Sequence, residues 1–156
     1  MATELRRAAG EIEEQFSVSL NLERGYRFEA EFGVPGLPSL ILDEPAPLGD
    51  GTGPNPARLL AVAVADCLAS SLLFCLRKAH IEAGGMAASA VATLGRNEKG
   101  RLRVTSIDVT LKPSVTAADV PRMGRCLEIF EDFCTVTAAV RQGVDVRVTV
   151  TPVISA

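Results

Sequence analysis

From Leu59 to Leu76 the chain is almost unbroken in apolar residues, and the punctuation on either side makes this run a helix. Asn55 is a good N-cap, Pro56 suits the first helical position, where its missing N–H costs nothing, and Gly84-Gly85 offer a stop. A helix between those limits has about 28 residues and a length of ~42 Å at 1.5 Å per residue. It is apolar nearly all round and long for so small a domain, so one small sheet cannot cover it. A second copy of the chain is expected to supply the cover, in an obligate homodimer with this helix at its centre. The run carries Asp66, Ser70 and Ser71 and falls short of the ~20 apolar residues of a membrane span. A buried helix is therefore the better reading, and no membrane partner is expected.

Outside the helix the period changes to two. Phe16, Val18, Leu20 and Leu22 alternate with Ser17, Ser19, Asn21 and Glu23, predicting a half-buried strand that ends in a turn at Arg24-Gly25. Phe28, Ala30 and Phe32 alternate with charged residues for a second strand, and Ser39 to Leu42 is short enough for a third. The prolines and glycines between Asp43 and Asn55 predict a loop of fixed bends. Beyond the helix, residues 87–94 and 101–111 flank a charged, Gly-bounded hairpin loop from Gly95 to Gly100. Val120, Met123, Leu127, Phe130 and Cys134 then fall at helical spacings, one face of a second helix that turns Cys134 inward. Val144, Val146, Val148 and Val150 alternate with polar residues and predict a closing strand. The order βββ, helix, ββ, helix, β is α+β: two antiparallel β-meanders, a long buried central helix and a shorter second one. A single domain is expected over residues 1–156, with residues 1–14 peripheral.

Composition narrows the partners. A chain of 156 residues that is 47% hydrophobic can bury ~70% of its unfolded surface, as a soluble globular domain does. A net charge of −3 and the lack of any Lys/Arg cluster exclude a phosphate-backbone partner. Residues 1–15 are charged and have no apolar stretch of the kind a secretory signal needs, so a reducing cytoplasmic setting is expected, in which a lasting disulfide is not. Gly49-Asp-Gly-Thr-Gly53 resembles a phosphate loop only in its glycines, which read as turn residues. The one histidine, His80, sits near the expected helix end and reads as a solvated side chain favoured by the helix dipole.

Four cysteines remain, at 67, 75, 126 and 134, and the gap of eight residues within each pair is far from zinc-site spacing. Free cysteine is usually a small apolar filler, and Cys75 and Cys126 fit that reading. Cys67 follows Asp66 in the long helix and Cys134 closes the second one. In those settings the two read as a redox pair, although for Cys67 filler and function weigh equally on the residues alone.

Gly53-Pro-Asn-Pro56, Leu59-Leu60, Ala65-Asp-Cys67, then Phe-Cys134-Thr-Val-Thr137, resemble the OsmC/Ohr family over roughly Asp43 to Pro152. The resemblance implies an intertwined homodimer with active sites at the subunit interface. There Cys67, the peroxidatic thiol, and Cys134, the resolving one, would reduce organic hydroperoxides. It implies no bound cofactor and an external dithiol reductant. Thiolate attack on the O–O bond gives a sulfenic acid, which the second thiol traps as a disulfide. The chain departs from the family at Ala57, where peroxidase members usually carry glutamate, and no arginine lies between Phe28 and Ala57. Arg24, Arg27 and Arg58 are the candidate cations, and Glu44 the candidate replacement carboxylate. Thr135 stands where many relatives have proline and Thr137 where serine is common. The alternative function is a small-molecule-binding or redox-sensing module without turnover.

Overall fold

The computed structural model describes residues 12–155, so most of the expected peripheral segment, residues 1–11, lies outside the described residues. The chain divides into two compact units, one up to Pro56 and one from Ala57 onward.

The first unit is an antiparallel meander of β1 (Ser19–Arg24), β2 (Arg27–Glu31) and β3 (Leu40–Leu42). Phe28 of β2 lies between Leu22 and Leu42, and Ala30 between Leu20 and Leu40, so the apolar residues share one face as their alternation requires. The expectation of a half-buried first strand is not met, because β1 is exposed along its whole length, Leu20 and Leu22 included. The Pro/Gly loop that follows is organised by one buried carboxylate. Asp43 accepts the N–H groups of Glu44, Asp50 and Thr52, and the Thr52 hydroxyl donates to it at 2.7 Å. The Thr52 hydroxyl leads the hydrogen bonds that hold this carboxyl below its usual range, against a smaller effect of burial.

The second unit is built on α1 (Pro56–Lys78), which starts at the predicted proline. Its buried residues, among them Ala61, Val64, Leu68, Leu72, Cys75 and Leu76, recur every three or four positions as a single stripe. The helix is therefore not buried on nearly all sides within the chain: Val62 and Phe74 are exposed on the opposite face. Length and composition alone would let α1 cross a membrane, with a mean hydropathy of 2.3 over its apolar window. Its stripe is instead half of two core clusters. Leu72, Cys75, Leu76 and Ile81 pack with Met123 and Cys126, and Val64 and Leu68 pack with Cys134.

The helix has 23 residues and stops at Lys78, short of Gly84-Gly85. His80 turns the chain at φ +54°, its N–H bonds to the Arg77 carbonyl, and the Ile81 N–H bonds back to Leu76 at 2.9 Å. This is a Schellman closure with histidine in the place glycine usually takes. The apolar contact that accompanies such closures is Leu76 with Ile81, both fully buried, and this contact ends the helix early.

The hairpin of β4 (Gly85–Arg96) and β5 (Leu102–Ser114) forms as expected, and Ile107, Val109 and Leu111 of β5 lie against the stripe. The expected second helix is broken up. A 3-10 turn at Val120–Met123, α2 (Gly124–Ile129) and a second 3-10 turn at Phe130–Phe133 lead to Cys134. At three residues per turn instead of 3.6, each 3-10 segment shifts the phase of the face. Val120 and Leu127 consequently face solvent while Cys126 goes inside; Cys134 is buried as predicted.

Cys134 does not precede a strand. It opens α3 (Thr135–Gln142), which Gly143 ends at φ +80°. The predicted closing strand is absent: residues 144–155 have no ladder partner among the described residues, and Val144 to Val150 are 66–82% exposed at the alternate positions. The alternation is a genuine β pattern, but a strand exists only where a neighbour takes its hydrogen bonds. Two antiparallel sheets and the helices α1–α3 make the fold α+β.

His80 supplies a direct check on the helix end. A β-branched residue at a positive φ is strained by about 1–2 kcal/mol. His80→Val should lower the urea midpoint accordingly while His80→Gly leaves it unchanged or raises it.

Candidate active site

Both cysteines singled out in the sequence meet. Cys67 stands half-buried midway along α1, Cys134 is fully buried at the start of α3, and their side chains are hydrogen-bonded to each other. The other two thiols also form a pair, Cys75 with Cys126. The equal gap of eight residues explains both contacts: α1 and the segment from α2 to Cys134 run past each other in opposite directions, so the outer and the inner cysteines each find a partner. The rings of Phe74 and Phe133, 5.8 Å apart, hold the residue before Cys134 against α1.

The two sulfurs of the first pair have different surroundings. Burial pushes the Cys67 thiol up, and the hydrogen bond to Cys134 and that neighbour's charge push it further, against the backbone N–H groups of Val136 and Thr137. These N–H groups belong to the first turn of α3, where the helix dipole favours negative charge. Burial also raises Cys134, yet its donors outweigh that effect and leave it below the ordinary thiol range. The donors are Cys67, the hydroxyl and backbone N–H of Thr137, and the hydroxyl of Ser71. Cys134 Sγ lies 2.8 Å from Thr137 Oγ1, a contact in which a neutral thiol donates and a thiolate accepts.

Ser71 and Thr137 are the residues that sequence reasoning missed as part of a site. Ser71 lies one turn after Cys67 on α1, and Thr137 becomes a neighbour of Cys134 only because α3 is helical. A hydroxyl at i+4 from a cysteine in an otherwise apolar helix was the available signal.

None of the candidate activating charges joins this set of donors. Arg27 pairs with Glu23 at 2.5 Å and Thr52 at 2.7 Å, and Arg24 lies 3.9 Å from Asp50, all within the first unit. Arg58 is exposed on the first turn of α1, Ala57 offers only a methyl group, and Glu44 is a half-buried loop residue. No group of three or more metal-ligating side chains occurs among the described residues.

An open groove of about 460 Å³ runs beside the thiol pair. Leu60, Val64 and Leu68 of α1 and Ile107 and Val109 of β5 give it apolar walls, Thr137 reaches it from α3, and the Glu131–Arg141 ion pair, 3.4 Å, stands at its rim. Its size suits a small molecule. The arrangement offers two mutually accessible thiols, one with donors for a negative charge, next to an apolar surface.

The family described as OsmC-like protein matches residues 49–149. A search of curated proteins finds no match. Among solved structures, an OsmC-like protein of unknown function from Vibrio cholerae superposes with a TM-score of 0.66 at 17% identity, over 81% of this chain and 93% of its own. A putative organic hydroperoxide resistance protein of the same species, with captopril bound in one of its active sites, gives 0.61 at 24% identity over 88% and 91%. An organic hydroperoxide resistance protein OsmC from Legionella pneumophila gives 0.61 at 20% identity over 86% and 95%. At these identities the likeness carries the fold.

The second pair makes a prediction of its own. Burial first, then the hydrogen bond to Cys75 and its charge, push the Cys126 thiol up from 9.0 to about 11. Keeping it neutral favours the folded state below pH 9, and that contribution is lost as pH rises through about 11. Chemical denaturation across this range should show falling stability, with a shallower fall in Cys126→Ala.

Proposed function

Because the chain belongs to the OsmC family, we propose that it is a thiol-dependent peroxidase that reduces organic hydroperoxides through Cys67 and Cys134. The observation that carries this reading is the hydrogen-bonded contact of the two sulfurs beside an apolar groove. Cys67 is the half-exposed member and takes the peroxidatic role. Its sulfur attacks the distal peroxide oxygen, the O–O bond breaks, an alcohol leaves, and Cys134 displaces hydroxide from the sulfenic acid to close a disulfide. An external dithiol in a reducing cytoplasm returns both thiols by exchange. No cofactor takes part. The names of two structural relatives as organic hydroperoxide resistance proteins support the substrate class.

The working form in this reading is a homodimer. Val62 and Phe74 on the outer face of α1, Leu20 and Leu22 on β1, and the alternating valines after Gly143 are all exposed in the single chain. A second copy would cover such surfaces and give the extended tail a ladder partner. Sedimentation equilibrium should return twice the chain mass; a monomer would sink this part.

Ala57 favours a second reading, a family member that binds a small molecule or senses oxidation without turnover. Multiple-turnover consumption separates the two. With a dithiol present, the wild type should consume cumene hydroperoxide catalytically and Cys67→Ser not at all. Cys134→Ser should complete one turnover and then accumulate sulfenic or sulfinic acid at Cys67, read by intact mass. Peroxide consumption by Cys67→Ser equal to that of the wild type would overturn the assignment.

A further inference from the structure

Two thiols in hydrogen-bond contact share one proton rather than losing both, because a second negative charge at that distance costs several kcal/mol even at an effective dielectric near 20. The question is which sulfur keeps the charge, and the donor geometry answers it. Ser71 and Thr137 are both buried, and a hydroxyl buried in an apolar core needs a partner. They come from different elements, α1 and α3, and converge on the same atom, Cys134 Sγ. Cys134 is also the fully buried member of the pair, out of reach of a substrate, whereas Cys67 has a face open to it.

We propose that Cys134 is the thiolate of the resting pair and acts as the base for Cys67, with Ser71 and Thr137 as the positioning residues that keep its charge in place. The proposal rests on the peroxidase reading and deepens it. Cys67 attacks the distal oxygen of ROOH while its proton passes to Cys134. The O–O bond breaks, Cys67 becomes the sulfenic acid, and the alkoxide takes the proton back from Cys134 to leave as ROH. Cys134, again a thiolate, then attacks the Cys67 sulfur, forms the disulfide and expels hydroxide. One hydroperoxide is reduced, two sulfurs are oxidised, and the thiolate needed for the second step is regenerated by the first.

The lowered affinity of Cys134 for its proton and the raised affinity of Cys67 agree with this order. The charged groups nearby are accounted for. Glu131 and Arg141 are paired with each other at the groove rim, Asp108 of β5 lines the groove, and Asp66 beside Cys67 is exposed. The donors to Cys134 are a thiol, two hydroxyls and a peptide N–H, all neutral.

The test is the pH profile of the first turnover, measured as disulfide formation by reduced full-length protein with cumene hydroperoxide, from about pH 5.5 to about pH 9.5. Thr137→Val and Ser71→Ala should move the acid limb to higher pH, with about a tenfold slower reaction at neutral pH for each unit of displacement. The alkaline plateau should be kept, and Thr137→Ser and Ser71→Thr, which retain the hydroxyl, should restore the wild-type limb. A limb that stays in place in both Thr137→Val and Ser71→Ala overturns the proposal. So does an equal loss of rate at every pH, the mark of a structural role. Cys67→Ser separates the two levels: if it is inactive while the limb is unmoved, only the assignment of the base fails, and if it still consumes hydroperoxide, the peroxidase reading fails as well.

Discussion

The second unit depends on the covering of one apolar stripe on α1. Burial of Leu72, Leu76 and Ile81 is worth about 1.5–3 kcal/mol for each side chain, a large share of the net stability of a domain this size. The inner residues of β5 cover one part of the stripe and the α2 region another. This packing, more than any polar contact, sets where the cysteines lie, because a segment crossing α1 in the opposite direction must bring Cys126 to Cys75 and Cys134 to Cys67. The Schellman closure at His80 belongs to the same constraint. It folds Ile81 back onto Leu76 and so fixes the end of the stripe against which Met123 and Cys126 pack.

Function then turns on neutral dipoles rather than on a full cation. A thiolate is helped by a nearby positive charge, but it is also helped by donors aimed at it, and a hydrogen bond to a charged group contributes about 1.5–3 kcal/mol. Four such donors around Cys134 outweigh the burial that opposes ionisation. Ala57 in place of a carboxylate therefore does not leave the pair without support. It moves the support from an ion pair to hydroxyls and peptide N–H groups, and from the outer sulfur to the inner one.

Much of this was legible in the residues. The helix start at Pro56, the four paired strands and the inward direction of Cys134 follow from punctuation and periodicity, and the meeting of Cys67 with Cys134 from the family resemblance. What escaped has physical causes. The helix end was set by a non-local contact, Leu76 with Ile81, which overrode the glycines further on. The face expected for the second helix assumed one uninterrupted period, and two 3-10 turns reset it. Thr135–Gln142 was passed over because a β-like run follows it, although Gly143 is a good helix terminator. With α3 unread, Thr137 and the N–H groups of its first turn could not be placed at the site. The valine alternation after Gly143 describes what that segment can pair with, and pairing is a property of a neighbour as well as of a sequence.

Comparison of the two thiol pairs isolates the cause of reactivity. Both join α1 to the same return segment, both are in hydrogen-bond contact, and burial raises every one of the thiols whose shift is resolved. Around Cys75 and Cys126 the neighbours are Leu72, Leu76, Ile81 and Met123, which offer no donor, and Cys126 stays protonated to about pH 11. Around Cys67 and Cys134 the same geometry meets Ser71, Thr137 and the opening turn of α3. The difference between an inert core filler and a thiolate is thus two hydroxyls and a helix start, because contact between sulfurs alone raises one of them and supplies no charge to the other.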